Sequence, residues 1–395
     1  MKFLYVSNSC SDKKYSELYK KVKDKPAVQA NKFNRLIAEG LAKIDDNNVT
    51  ILSKLVLNKN NYEKKMYLGD SEKENNIKYI YMPLVLFRPL NLILTFLYSF
   101  FYSLIYSFKN KNSVLIVDVL NISIGLGATL AYRIRGMRSI GIVTDLPKYF
   151  GEIKTQKMIQ RVIDNCKMYV LLTESMNNVV NKNDKPYVVI EGISDINLDS
   201  IDNNLENKYK EKVIIYAGSF DRRFGILKLI DAFIKVEDTD ARLWIFGQGD
   251  SEKEIIAATK KDHRIYFGGM RLNAEVMDME IKATLLVNPR PSNEEMTKYS
   301  FPSKTIEYMS TGTPVLTTNL EGIPLEYHNY IYLFNDESIE GMSRSINEIL
   351  GKSKIELSKF GASAKEYVIK EKNNIVQASK IVEMLKKGEG YEKRC

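Results

Sequence analysis

Asn288-Pro289-Arg290-Pro291, followed by Phe301-Pro302-Ser303-Lys304-Thr305-Ile306-Glu307-Tyr308-Met309-Ser310-Thr311-Gly312-Thr313-Pro314-Val315-Leu316, is the stretch from which the architecture can be read. The apolar run Leu285 to Asn288 reads as a buried strand that stops at Pro289. Pro302 halts the chain, and Ser303 has the chemistry of a helix N-cap, so a helix is expected to open near Lys304. Gly312 is placed to end that helix, and Thr313-Pro314 leads into the next apolar strand, Val315 to Thr317. Strand, loop, helix and strand in this order make one crossover unit of a parallel sheet. The helix N-terminus in such a unit lies at the edge where the strands end.

The same theme extends in both directions. Downstream of residue 195, strands are expected at Val213–Ala217, Leu243–Phe246, Ile265–Phe267 and Ile331–Leu333, with a helix at Ile226–Ile234. Upstream, Lys2–Ser7, Val49–Leu52, Ile77–Met82, Val114–Val117, Ser139–Val143 and Tyr169–Leu172 repeat the strand signature, and Phe33, Leu36, Ile37 and Leu41 have helical spacing. The chain has 395 residues, more than one core usually supports, so two domains are expected. Asp195 to Lys212, polar and rich in Asp and Asn, reads as the linker. The reading is α/β throughout: one domain over 1–195, a second over 196–370, and a helical tail over 371–395 whose return to the first domain is left open.

Charge is divided unevenly. Residues 1–195 hold 29 Lys and Arg against 18 Asp and Glu, whereas the second half holds 29 against 31, so the net charge of +9 lies entirely in the first half. That asymmetry suits contact with something anionic, such as a phospholipid headgroup or a lipid-linked phosphate, or else a solvated basic surface. The basic residues are dispersed and lack aromatic interleaving, which argues against nucleic acid. Cys10, Cys166 and Cys395 are few and scattered, and no signal-peptide pattern follows Met1, so a reducing, cytoplasmic setting is expected. Leu84 to Phe108 is apolar and aromatic, with Arg88-Pro89 expected to break it early. Asn91, Thr95, Ser99, Ser103 and Ser107 recur every four residues, so a helix there carries one small-polar stripe. This favours a packed helix, or one lying on the inner face of a membrane, over a spanning one.

The run from Asn288 to Leu316 resembles the nucleotide-sugar site of family 4 glycosyltransferases of the GT-B fold, in which two Rossmann-like domains face each other across a cleft. The order of elements in the second half agrees: Gly218 after the first strand, Gly247-Gln248-Gly249 after the next, Phe267-Gly268-Gly269, this run, then Glu321-Gly322-Ile323-Pro324. The resemblance implies a donor diphosphate at the helix N-terminus, beside Ser303, Lys304 and Thr305, with Glu307 one turn along to accept the ribose hydroxyl protons. It implies further donor contacts at Gly218, Ser219, Arg222, Gly247, Gly249, Met270 and Arg290. Catalytic roles fall to Lys304 and Arg223 as phosphate cations, and to Asp145, just past a strand end, on the acceptor side. Three positions depart from the family pattern. Tyr299 stands where a glutamate is usual, and Ser219 and Phe224 stand where the family carries Arg and Lys.

No metal-ligand spacing is visible, and Asp238-Thr239-Asp240 reads as a solvated turn, so neither a metal nor another cofactor is expected. The expected activity is a retaining, metal-independent transfer from a nucleotide-sugar, a UDP-sugar favoured, to a cell-surface glycan or lipid-linked saccharide. Two rival readings share the architecture: a non-catalytic GT-B partner subunit and a non-hydrolysing sugar-nucleotide epimerase. The first half contains no histidine to serve the epimerase chemistry, since His263 and His328 both lie in the second.

Overall fold

A computed structural model describes residues 1–19 and 28–392; Cys395 lies outside the described residues. The chain divides into two units, Met1–Ile193 with Asn374–Cys395, and Ser194–Asn373. The second unit therefore begins before the polar linker. Ser194 bridges Asn373, donates its N–H to the Lys372 carbonyl at 2.9 Å, and its hydroxyl meets that of Ser310 at 2.8 Å. The linker itself is pinned to the second unit. Asn203 donates to the Thr311 carbonyl at 2.8 Å, and Lys208 donates to the Ile281 and Ala283 carbonyls at 2.7 and 2.9 Å. Burial pulls the Lys208 ammonium down to about 8.

In the first unit an eight-stranded sheet runs in the spatial order Tyr187–Val189, Met168–Leu171, Ser139–Val143, Val114–Asp118, Lys2–Ser7, Asn48–Ser53, Ile77–Tyr81, Asp70–Glu74. All neighbours are parallel except the last pair, which is antiparallel. The central strands are buried from end to end, as unbroken apolar runs should be when helices cover both faces. Asp70–Glu74 gives no such signal. It is a charged edge strand, and its charges blunt the sheet's open side. Pro89 does not break the aromatic segment: it sits in the first turn of a helix, Arg88–Lys109, where its missing N–H costs nothing. The final helical stretch is two helices, Lys354–Glu371 and Asn374–Glu392, and the second packs on Val28–Ala42 of the first unit.

In the second unit six strands are all parallel, in the order Ile265–Gly269, Ala241–Gln248, Lys212–Ser219, Leu285–Asn288, Val315–Thr318, Tyr332–Phe334. One face is covered by a core that includes Phe220, Ile226, Leu229 and Phe233; the other by one that includes Val276, Tyr308, Met309 and Val368. Both units are Rossmann-like, the pairing found in GT-B proteins. Strand order reverses between Lys212–Ser219 and Leu285–Asn288, and ligands of open parallel sheets collect outside the strand ends at such a reversal.

Candidate active site

Two loops flank that reversal, and each is fixed by packing rather than by chance. After Ser219 the chain turns through the short 3-10 segment Arg222–Phe224 to Gly225, whose φ of 78° only glycine adopts without strain. A Cβ on Gly225 would lie 2.1 Å from the Pro289 carbonyl oxygen, so this loop rests directly on the second one, which begins at Pro289. The next strand end approaches as closely. Gly247 has φ 140°, and a Cβ there would lie 1.8 Å from the Gly218 carbonyl oxygen. Backbone groups thus crowd where side chains would otherwise stand.

The helix opens at Ser303 and runs to Ser310. Its N-cap is Pro302, without a side-chain cap, and this corrects the expectation that Ser303 would cap it. Pro302 occupies the extended cap position itself, so Ser303 is already the first helical residue. The Thr305 N–H returns to the Pro302 carbonyl at 2.8 Å, and no side chain among the described residues caps the N–H groups of Ser303 and Lys304. Tyr308, buried on the inner side of this helix, accepts the Ala217 N–H at 2.8 Å and donates to the Ala217 carbonyl at 3.2 Å, locking helix to strand.

Lys304 and Glu307 form an ion pair of 2.9 Å, one turn apart and partly exposed. Burial depresses the Lys304 ammonium, but the carboxylates of Glu307 and Glu280 outweigh it and hold the group above its usual value, fully charged near neutral pH. Arg290 lies over the Phe224 ring at 5.1 Å, so Phe224, which stands where a cation is usual, serves as the platform for one. Arg223 is clasped by Asp221 through contacts of 2.5 to 3.1 Å, and Arg222 pairs with Glu254. Glycine-rich strand ends, a helix N-terminus with open donors, and long-armed cations together make a site suited to a diphosphate.

Residues 211–352 match the family model described as "Glycosyl transferases group 1". The second unit is a group 1 glycosyltransferase domain. With that domain and this fold, the chain is a glycosyltransferase. No curated protein matches the chain. Among solved structures, a sucrose-phosphate synthase from Thermosynechococcus elongatus superposes with a TM-score of 0.67 at 14% identity, covering 99% of this chain and 100% of that one. Anabaena HepE in complex with UDP gives 0.66 at 14% identity, covering 98% and 100%. A trehalose-phosphate synthase (UDP-forming) from Burkholderia xenovorans gives 0.66 at 10% identity, covering 97% and 99%.

Within the glycosyltransferase domain, the strand ends and loops bring Gly218, Ser219, Arg222, Arg223, Gly247, Gly249, Arg290, Ser303, Lys304 and Glu307 to one edge of the sheet. Met270, exposed just past the end of Ile265–Gly269, lies on that edge as well. Thr305 is different. Its side chain is fully buried and faces the Asn288 amide at 3.5 Å, so it braces the helix on the strand and offers no hydroxyl to a ligand. Tyr299 ends a short 3-10 turn, Glu295–Tyr299, and no carboxylate takes its place in register. Asp238 accepts from Lys212 at 2.7 Å and from the Asp240 N–H at 2.9 Å, which is the chemistry of a braced turn. Among the described residues no three His, Cys, Asp or Glu are grouped as metal ligands would be.

Asp145 belongs to the first unit, half-buried just past Ser139–Val143. It does not cap the following turn, whose N-cap is Leu146. Its charge acts instead on Asp118, a residue the sequence reading passed over. Asp118 ends the strand Val114–Asp118, next to the strand-order reversal at Lys2–Ser7, and is almost fully buried. It accepts from the Leu120 N–H at 3.1 Å, from Asn121 at 2.7 Å and from Asn34 at 3.2 Å, while Asn34 in turn accepts the Tyr5 hydroxyl at 2.7 Å. Burial first, with Asp145 adding, raises its carboxyl to about 6 against those three hydrogen bonds. The signal was present in the sequence: a lone acid closing the apolar run Val114–Val117.

Proposed function

We propose that this glycosyltransferase moves a sugar from a UDP-sugar to a glycan or lipid-linked saccharide, with retention of anomeric configuration and without a metal. The observation that carries the donor half is the uncapped N-terminus at Ser303, with Lys304 and Glu307 one turn apart upon it. In this reading the diphosphate takes the Ser303 and Lys304 N–H groups and draws the Lys304 ammonium away from Glu307, whose carboxylate then accepts the ribose hydroxyls. Arg290 and Arg223 supply further positive charge, so fixed cations and a helix dipole meet the charge that a divalent ion meets elsewhere. UDP is favoured because the similar Anabaena structure is a UDP complex.

The transfer breaks the bond between the anomeric carbon and the diphosphate oxygen and forms one to the acceptor oxygen. The acceptor's hydroxyl proton passes to the departing phosphate. Asp118 and Asp145, at the strand ends of the first unit, are the groups proposed to hold acceptor hydroxyls. Thermal shift with UDP, GDP and ADP tests the donor half: saturating UDP, at a hundred times its Kd, adds about 2.7 kcal/mol to the stability of the unit that binds it. Glu307→Ala should abolish that shift. If no nucleotide stabilises the wild-type protein, the donor site is refuted. Turnover that survives EDTA, and product configuration by NMR, test the metal and stereochemical parts. UDP binding with no hydrolysis or transfer would favour the partner-subunit reading instead, for which Tyr299 in place of the usual glutamate is the specific observation.

A further inference from the structure

The helix Arg88–Lys109 of the first unit is packed with its polarity inverted. Thr95, Ser99, Ser103 and Ser107 are its fully buried residues. The Thr95 hydroxyl reaches the Asn91 carbonyl at 2.7 Å and the Ser123 hydroxyl at 2.9 Å, Ser99 donates to the Ile124 carbonyl at 2.7 Å, and Ser107 to the Leu104 carbonyl at 2.7 Å. These small side chains let the helix lie tightly on Ile122–Ile134. A Cβ on Gly127 would stand 2.5 Å from the Phe96 carbonyl oxygen.

The opposite face is apolar and bare. Leu90, Leu94, Leu97, Phe101, Ile105 and Phe108 follow helical spacing along one stripe and are 39% to 56% exposed. An isolated exposed leucine means little, but a continuous stripe along a 22-residue helix, roughly 30 Å long, has to be covered by something. Lipid cannot surround this helix as it would a spanning one, because its Thr95, Ser99, Ser103 and Ser107 side is buried against the domain.

Charge identifies what covers it. Residues 84–144 contain six cations, Arg88, Lys109, Lys111, Arg133, Arg135 and Arg138, and a single acid, Asp118, which is buried. Arg88 opens the helix, Lys109 closes it, and the Arg135 guanidinium lies 4.0 Å over the Phe108 ring. Cations at both ends of an apolar stripe match the phosphates and acyl boundary of a bilayer. A second copy of the same face would set cations against cations.

The geometry points to the first unit resting on an anionic lipid bilayer through the outer face of Arg88–Lys109, with Phe101 and Ile105 at the acyl boundary and Arg88, Lys109 and Arg135 at the phosphates. This does not depend on the donor reading, and it places any acceptor site of the first unit near lipid-borne saccharides. Co-sedimentation of the full chain with phosphatidylcholine vesicles, with and without phosphatidylglycerol, tests it. The protein should pellet with the mixed vesicles and stay in the supernatant with neutral ones. Arg88→Gln and Lys109→Gln should each weaken binding roughly fivefold, and Phe101→Ser with Ile105→Ser should abolish it while circular dichroism stays unchanged. Phe101→Trp, which needs no loss of binding, should add an emission that shifts to the blue on the mixed vesicles. Recovery in the supernatant with both vesicle types, equal pelleting with both, or no blue shift in the Phe101→Trp protein overturns the proposal. So does a dimer in analytical ultracentrifugation that Phe101→Ser with Ile105→Ser dissociates, which would assign the face to a second copy.

Discussion

The two sheets end in different chemistry. In the second unit the strands Lys212–Ser219, Ala241–Gln248 and Ile265–Gly269 carry Gly218, Gly247 and Gly269 at or next to their last residues, and the groups presented are backbone amides, a helix N-terminus and long cationic side chains. In the first unit the matching strands finish on the buried Ser7, Ser53 and Asp118, with the half-buried Asp145 shortly after Ser139–Val143, and the groups presented are short and polar. A diphosphate needs close backbone approach and positive charge, whereas a sugar hydroxyl needs a few fixed acceptors and donors. The contrast supports assigning donor and acceptor to different units from their edges alone.

The sharpest way to break the contrast is to put a side chain where the second unit allows none. Gly247→Ala places a Cβ 1.8 Å from the Gly218 carbonyl oxygen at a φ of 140°, so two strand ends must part. A loss of about 4 kcal/mol, or failure of the second unit to fold, is expected, read from the fluorescence of Trp244, the chain's single tryptophan. A Gly247→Ala protein that melts like the wild type would mean the strand ends are not so tightly held.

Next in size is the loss of a fixed charge. Lys304→Met keeps the helix but removes the cation at its first turn, and kcat should fall by roughly 10²- to 10³-fold, with a smaller change in the stability of the unit. Unaltered kcat would remove Lys304 from the leaving-group site and leave the helix N-terminus alone in that role.

On the other side of the comparison the expected effect is one of pH. Asp118 has its carboxyl raised to about 6 from an unfolded value of 3.8. The folded unit therefore keeps its proton where the unfolded chain has lost it. Stability is complete below about pH 4, declines as pH climbs through the interval up to about 6, and is level above. At 1.36 kcal/mol per unit the decline is about 2 to 3 kcal/mol. Hydrogen exchange of Val114–Asp118, corrected for intrinsic rate, should show it, and Asp118→Asn should flatten the slope whatever it does to absolute stability. A wild-type profile flat over that interval would show that Asn34, Asn121 and the Leu120 N–H compensate the buried charge completely.

Much of this was legible in the sequence because central strands buried on two faces must be unbroken apolar runs, and because proline and glycine punctuate helices by mechanisms that act locally. Lys304 and Glu307 could be placed on one helical turn by spacing alone. What could not be read depends on neighbours distant in sequence. Asp70–Glu74 is a strand only because Ile77–Tyr81 pairs with it, and Thr305 turns inward only because Asn288 lies beneath it. Asp221 and Glu254 pair with Arg223 and Arg222, which the family resemblance had marked for a ligand. The serine stripe of Arg88–Lys109 was visible, but which side it would face was not, since burial of hydroxyls in preference to Phe and Leu contradicts the usual rule.

Ser53 gives the comparison its smallest and most local test. It ends the strand Asn48–Ser53 beside Ser7, fully buried, and its hydroxyl finds no hydrogen-bond partner among the described residues. A buried hydroxyl left unpaired is a cost, so if nothing else pairs with it, Ser53→Ala should leave stability within about 1 kcal/mol of wild type or raise it. If instead the first unit's strand ends are kept polar to meet an acceptor, the same substitution should raise the KM for acceptor while leaving the UDP-induced thermal shift unaltered. Lost stability with unchanged acceptor KM would show that Ser53 is paired by an ordered water and serves the fold alone.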